Sequence, residues 1–478
     1  MSYIPKRKPW KHQAEALEKL KGQKVFALFM AMRTGKTKIT LDDWGRLQSE
    51  GKCNNLMVVA PGGVYKTWQT AIEDHLPAEL LNRIVVHCWQ SGAGSNELKK
   101  LEYFLNDIKK PRIFLINIEA LSSVKMAREA SKRFLKDAMI VIDESTAIKN
   151  PKAKRTIFIN TELARLAKYK RILTGLPTPR SPLDIYSQFE FLDPDILNCR
   201  SYYAFRARYA IVRNANFAGR SVPVVVGYQN IEYLNELIAP YTFRKRLEDC
   251  YDLPEKTYIR RTVTMTDDQK RLYSDMKKYA TTQLASMEHI TATVVITQML
   301  RLHQILCGHV RDEQGNFHEV AENRVASLLE LLEEYDGSAI IWCSYDADIH
   351  KIEKALKKEY GEGSVARFWG GNIKTREQEE KNFLNDPECR FMIATPAAGG
   401  RGRTWLKADM VIYYSSTNNL EHRSQSEERA QGVNKTRSVV YVDLLTEGTV
   451  EEKIIKSLRE KIDMAAMITG DNYQEWLI

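Results

Sequence analysis

The chain has 478 residues, 44% of them hydrophobic, which is too long for one ordinary core and too apolar for disorder, so two or more folded domains are expected. Lysine and arginine number 71 against 61 aspartates and glutamates, and the resulting charge of +10 suits a polyanionic partner. No run approaches the roughly 20 apolar residues of a membrane span, the N-terminal MSYIPKRKPWKHQ lacks the apolar core of a signal peptide, and the seven scattered cysteines contain no Cys-x-x-Cys pair; these features read as a soluble, cytoplasmic protein with reduced thiols and no membrane partner.

In chain order, Pro9-Trp10-Lys11-His12-Gln13 opens a helical pattern, and the Gln13 amide, donor and acceptor at once, suits the edge of an adenine. Next, VFALFMAMRTGKTKITLD (25–42) is an apolar run that ends in Arg33-Thr34-Gly35-Lys36-Thr37 and continues as a helix, the strand-loop-helix context of a phosphate-binding loop. In such a loop the backbone N–H groups of Arg33, Thr34 and Gly35 surround phosphate oxygens, Lys36 reaches the β/γ-phosphates of ATP, and the Thr37 hydroxyl ligates Mg2+. Met30 replaces the first glycine of the usual pattern, and an ordinary strand-to-helix turn is the alternative for this stretch taken alone. LMVVA (56–60), IFLIN (113–117) and AMIVI (138–142) read as buried strands of a parallel sheet. The first runs into Pro61-Gly62-Gly63 and a helix carrying Lys66 and Trp68, and the last ends in Asp143-Glu144-Ser145-Thr146. An acidic pair at a strand end is what nucleotide hydrolysis needs, Asp143 for Mg2+ and Glu144 to orient and deprotonate water, against the plainer reading of acidic residues at a helix start.

A further strand ends in Leu173-Thr174-Gly175-Leu176-Pro177. The ordered set of Gln13, Gly35-Lys36-Thr37, Ala60-Pro61-Gly62-Gly63 with Trp68, Asp143-Glu144-Ser145-Thr146 and this loop resembles the first RecA-like lobe of superfamily-two helicases. Its continuation through Leu183-Asp184, Tyr186 and Phe191-Leu192-Asp193-Pro194 resembles, more narrowly, the Swi/Snf-type DNA translocases. The resemblance implies that Thr174 and Gly175 couple nucleotide state to the DNA-binding surface, although Leu176 departs from the usual threonine.

From residue 200 to 308 helical spacing dominates around one β-like patch, SVPVVVGY (221–228). Tyr202, Phe205, Arg206 and Tyr209 interleave rings and charges, as a helix packing face or a nucleic-acid platform does. Arg244-Lys245-Arg246 and Leu253-Pro254-Glu255-Lys256 resemble the family segment that closes the helical protrusion, and helices are expected over 267–279 and 299–309. His303, Cys307 and His309 are set aside as a zinc set, because no fourth ligand lies nearby and i, i+4 positions serve a helix equally well.

A second parallel-sheet pattern begins with SAIIWC (338–343) and includes RFMIA (390–394), followed by the glycine-rich Thr395 to Thr404, suited to close approach of a phosphate or DNA backbone. Strands near 411–414 and 440–444 and the closing Glu447-Gly448-Thr449-Val450-Glu451 complete a resemblance running from about Trp10 to Ile454. One departure stands out. Gln425 and Arg429 match the family's Q-x-x-x-R, but Gly432 stands where the arginine finger belongs, a group worth about 10³ to 10⁵ in rate elsewhere. Either Arg429, Arg401, Arg403 or Lys435 then reaches the γ-phosphate, or hydrolysis is slow.

The expected fold is therefore α/β, with two RecA-like parallel-sheet lobes in tandem: an ATP-binding lobe over 1–195, helical insertions and linker over 196–320, and a second lobe with a C-terminal helix over 321–478. The expected function is an ATP- and Mg2+-dependent motor on double-stranded DNA, with Lys36, Asp143, Glu144, Gln425 and Arg429 catalytic. Its contacts with DNA, largely independent of sequence, fall to Lys66, Thr395, Arg401 and Arg403. An RNA helicase of the same superfamily and a nucleotide-gated DNA clamp with weak ATPase are the alternatives, and the small size of the motor suggests a bacterial or viral setting.

Overall fold

Apolar runs that alternate with amphipathic helices bury themselves most completely as parallel strands covered on both faces. The computed structural model describes residues 3–469 except 63, 66, 91, 93, 108, 218–219, 252–255, 287–291, 312–315, 400–402 and 433–434, so Lys66 and Arg401 lie outside the described residues. The chain divides into two compact units, the first chiefly residues up to 211 with 227–252, the second chiefly 212–226 with 253–463.

In the first unit the strands are β1 (Val25–Met30), β2 (Asn55–Ala60), β3 (Val85–Cys88), β4 (Arg112–Asn117), β5 (Met139–Asp143) and β6 (Tyr169–Thr174). Next in the chain, β7 (Ala210–Phe217) and β8 (Arg220–Tyr228) pair with each other, and β9 (Thr242–Lys245) returns to the first sheet. The sheet order is β3-β4-β2-β5-β6-β1-β9, parallel throughout. Phe26, Leu28, Met30, Val58, Val141 and Leu173 form its core with Ile39, Leu41 and Trp44 of α2 (Lys36–Ser49). One ion pair seats α2 on the sheet. Arg171 of β6 lies within 2.9 Å of Asp43 and donates to the carbonyls of Lys24 and Gln23, while Arg46 donates to the second Asp43 oxygen at 2.8 Å.

The second unit contains β10 (Lys256–Thr262), the small hairpin β11 (His309–Arg311) and β12 (Phe317–Glu319), then β13 (Ser338–Trp342), β14 (Val365–Phe368), β15 (Phe391–Ala394), β16 (Ala408–Tyr413) and β17 (Val439–Leu445). Its large sheet is parallel in the order β10-β17-β16-β13-β15-β14. The helix expected to reach His309 runs instead over Ala292–Leu306; Gly308, with φ +78, takes the left-handed turn that ends it and sends His309 into a strand.

That turn leaves a charged centre in the second unit's interior. The Arg324 guanidinium donates to both oxygens of Glu451 at 2.8 and 2.7 Å and to the carbonyls of Tyr414 and Leu444. His303 Nε2 lies 3.1 Å from Glu451, with its Nδ1 bonded to the Tyr345 hydroxyl at 2.8 Å. Ligand atoms of His303, Cys307 and Glu451 come within 4.8 Å of one another, as a metal would require. The chemistry argues otherwise: Arg324 already neutralises Glu451, and burial pushes the Cys307 thiol far up, holding it protonated. Burial alone would also raise the Glu451 carboxyl, but Arg324 and His303 outweigh it and hold the group at about 2, below its ordinary 4.5. A depressed carboxyl stabilises the fold fully above its unfolded value and loses that contribution as the pH falls through its folded value. Glu451→Gln strands the Arg324 charge, so it should cost about 3 kcal/mol in denaturant unfolding at neutral pH. The gap to the wild-type chain should narrow as the pH drops from about 4.5 towards about 2, as unfolding at stepped pH would show.

Candidate active site

The site is built where β1 stops. Its chain turns through Ala31 to Gly35, with Arg33 and Gly35 in the left-handed region at φ +64 and +88, and α2 begins at Lys36. The backbone conformation at Gly35 favours glycine, and a Cβ there would also stand 2.3 Å from the Gln13 amide nitrogen and displace that side chain. The turn exposes carbonyls that no ladder satisfies, and surrounding side chains take them up. Lys36 Nζ donates to Met30 and Ala31 at 2.7 and 2.9 Å, and the Thr34 hydroxyl to Ala31 at 2.8 Å. The carbonyl of Thr34 accepts from His12 Nε2 at 2.8 Å and Gln13 Nε2 at 3.3 Å, and that of Arg33 accepts from the Tyr251 hydroxyl at 3.1 Å. Both ends of the Gln13 amide are used within the chain, since its oxygen accepts from the Trp10 N–H at 3.1 Å. Thr37 stands half-buried on the first turn of α2.

Strand register carries the second motif to the same edge. Phe29 lies opposite Thr174, and Asp143 opposite Leu173, so β5, β6 and β1 end side by side. Asp143 accepts from the Trp68 indole at 2.9 Å on one oxygen and from the Glu144 N–H at 3.0 Å on the other. Burial raises its carboxyl; the Trp68 hydrogen bond, the Lys36 charge and the Glu144 N–H offset part of that rise. Glu144 itself has φ +51, a conformation uncommon for a side chain of its size, and leads into the short 3-10 turn Ser145–Ile148. The Thr174 hydroxyl accepts from the Leu176 N–H at 3.2 Å, and a Cβ on Gly175 would meet the Met30 carbonyl at 3.4 Å, so this loop lies directly against the first.

In the second unit the helix Leu420–Glu427 carries Gln425, with Arg429 just beyond it. Arg423 anchors this helix, donating to Glu427 at 2.6 Å and to Asp443 at 3.0 Å over the ring of Tyr413. Arg429 is turned inward, 1% exposed, donating to the carbonyls of Gln425 and Arg403. Lys435 is also enclosed by its own unit, on the carbonyls of Leu406 and Ala408 and the carboxylate of Asp409. Arg403 is different: its side chain is 36% exposed, paired with Glu380 at 2.8 Å over the face of Phe368. Thr395 sits at the end of β15, its N–H donated to the Phe368 carbonyl, and Gly432 is buried.

Sequence reasoning gave no role to His12, Tyr251 or the indole of Trp68. His12 stands beside Gln13 and could have been read with it. Tyr251 could not, because only the fold brings it to the loop.

A parallel sheet presenting a Gly-Lys-Thr turn, an Asp-Glu pair and a Thr-Gly turn at adjacent strand ends has the architecture of a P-loop helicase core. The chain belongs to the SNF2-related family: the SNF2-related domain matches residues 16–310, and the helicase conserved C-terminal domain matches 323–432. It is similar to the TATA-binding protein-associated factor mot1 of Aspergillus fumigatus, 26% identical over 374 residues, which cover 69% of this chain and 20% of that protein. With YwqA of Bacillus subtilis it shares 26% identity over 337 residues, 67% of this chain and 34% of the relative. The chain thus spans only a fifth to a third of the length of these relatives. Among solved structures, the Sulfolobus solfataricus SWI2/SNF2 ATPase core in complex with dsDNA is 21% identical, covers 100% of this chain and 96% of that one, and superposes with a TM-score of 0.43. Relatives from fungi, human and a plant stand beside the bacterial one, so they lend no support to a bacterial or viral setting. Among the described residues, no helix is long and apolar enough to cross a membrane.

The geometry makes Trp68 a control on Asp143. Trp68→Phe keeps most of the bulk and removes the indole hydrogen bond to that carboxylate, so the Asp143 carboxyl should rise further. If Asp143 acts ionised, the acid limb of nucleotide turnover moves to higher pH, as kcat/KM measured between about pH 5 and 8 would show.

Proposed function

We propose that the chain is an ATPase driven by double-stranded DNA, which uses ATP hydrolysis to move along the duplex. The observation that supports this most directly is the grouping of Lys36, Asp143-Glu144 and Thr174-Gly175 at the ends of three neighbouring parallel strands, inside a chain of the SNF2-related family. Lys36 exchanges the loop carbonyls of Met30 and Ala31 for the phosphates of ATP. The N–H groups of Arg33 to Thr37 receive phosphate oxygens at the start of α2. Glu144, next to a buried aspartate in a constrained conformation, holds and deprotonates the attacking water.

Mg2+ fits this site. Asp143 and Thr37 offer the hard oxygen donors it takes, and the Asp143 oxygens keep lone pairs beyond the two hydrogen bonds they accept. When bound, the ion neutralises charge on the β- and γ-phosphates. Gln13, with His12 and Tyr251, sets the shape of the loop, and the adenine is read from its neighbourhood.

The charge of +10 and the family match support a phosphate-directed, largely sequence-independent grip on duplex DNA, to which Thr395 contributes, with Lys66 and Arg401 as further contacts and Arg403 kept for the nucleotide. The family match leaves an RNA helicase without support. For the missing finger at Gly432 we favour Arg403, the most open of the three described candidates, with Gln425 and Arg429 shaping the segment around it.

Duplex DNA should raise ATP turnover strongly where RNA does not, and the stimulation should weaken steeply with added salt. Lys36→Ala should abolish turnover. Arg403→Ala should lower DNA-stimulated turnover by about a hundredfold or more, and Arg429→Ala by less. The enclosed Arg429 favours one second reading, a clamp that binds DNA in response to nucleotide and hydrolyses slowly. Displacement of a triplex-forming strand separates the two: a motor displaces it, whereas a clamp leaves it in place.

A further inference from the structure

The helix Ile185–Leu192 reads Ile-Tyr-Ser-Gln-Phe-Glu-Phe-Leu, and its Gln188 is 0% exposed. An amide in such a place is costly unless its hydrogen-bonding groups are met. Gln188 meets them by reaching in two directions. Its oxygen accepts from the Ser145 hydroxyl at 2.6 Å, immediately after Asp143-Glu144, and Ser145 is itself fully buried. Its nitrogen donates to the carbonyls of Pro177, in the turn after Thr174-Gly175, and of Asp184, both at 2.8 Å.

Both sides of this bridge are themselves held. Asn160 donates to the Ser187 carbonyl at 3.0 Å and to Glu190 at 2.8 Å, which pins the helix. Phe189 packs edge-on against Phe29 of β1 at 6.2 Å. The Asp184 carboxylate accepts from the Arg180 N–H at 2.9 Å, which closes the segment between Pro177 and the helix. Movement of the Thr174–Pro177 turn must therefore either carry Ser145 with it through Gln188 or leave buried polar groups unpaired, and the first is far cheaper.

We infer that Gln188 is a positioning residue that ties the Thr174-Gly175 turn to the Asp143-Glu144 turn, so that duplex DNA bound to the protein accelerates hydrolysis through it. The inference rests on the functional reading above and adds the physical tie. Gln188 touches no nucleotide. It acts by fixing how one loop follows the other.

The experiment measures ATP turnover with and without saturating duplex DNA in the wild-type chain, Gln188→Leu, Ser145→Ala and the double variant, with thermal unfolding of each. Leucine fills most of the glutamine's volume, and Ser145→Ala removes a single oxygen, so the second variant carries the test if the first does not fold. DNA-stimulated kcat should fall by about tenfold in either single variant, while KM for ATP and DNA-free turnover stay within about twofold of wild type. The double variant should be no worse than the worse single one, because both cut the same bridge. Wild-type stimulation in the variants, losses that multiply, or equal loss with and without DNA would overturn the inference. A wild-type chain that DNA does not stimulate would instead overturn the functional reading itself.

Discussion

Residue-for-residue parallel pairing of β5, β6 and β1 is the constraint on which the first unit's chemistry depends. β1 and most of β5 are apolar on both faces, so neither face of these two prefers solvent, and a slip of one residue would bury the wrong side chains rather than expose them. The register is locked by charge as well as by shape. Arg171 can satisfy Asp43 and the carbonyls of Lys24 and Gln23 together only when β6 and β1 stand as they do. With that pair in place, α2 starts at a fixed height above the sheet. Lys36, Asp143 and Thr174 then fall at one edge without further design.

The turn from Ala31 to Gly35 is organised by the chain's own donors. Carbonyls of Met30, Ala31, Arg33 and Thr34 are each taken by a named donor, three of those donors coming from outside the loop. Such an arrangement lowers the entropy lost on any further ordering, and in the proposed function Lys36 would have to give up two carbonyls to reach a phosphate. Tyr251 and Trp10 meet edge to face at 5.3 Å beside this loop. Packing of that kind makes the hydroxyl donor at Arg33 a fixed feature and not a passing contact.

Buried charge does comparable work in the second unit. Arg324 with Glu451, and Arg423 with Asp443 and Glu427, place helices by buried ion pairs, and the Arg324 pair is backed by hydrogen bonds to the carbonyls of Tyr414 and Leu444. The same interior shows how far the partner decides a carboxylate's behaviour. Glu451, facing a guanidinium, is held at about 2, whereas Asp348, whose burial is offset mainly by a Ser415 hydroxyl at 2.6 Å, is pushed up to about 7. Buried pairs of this kind are better understood as devices of placement than of net stability.

Strands buried on both faces were plain in the sequence, because a parallel sheet writes them as continuous apolar runs: LMVVA, IFLIN, SAIIWC and RFMIA fall in strands within a residue or two of where the pattern places them. Family signatures were equally legible, since each is a short local pattern, at a strand end for Lys36, Asp143 and Thr174 and on a helix for Gln13 and Gln425. Edge strands β9 and β10 were not, for they read as the basic stretches TFRK and KTYIRRT, and their strand character comes from a neighbour's ladder. Nor could the sequence tell that Arg429 turns inward onto the Arg403 carbonyl, that Tyr251 closes over Arg33, or that Gln188 joins two motifs. Periodicity and spacing report on neighbours along the chain, while the direction in which a long polar side chain points is set by whichever acceptor the fold brings within about 3 Å of it.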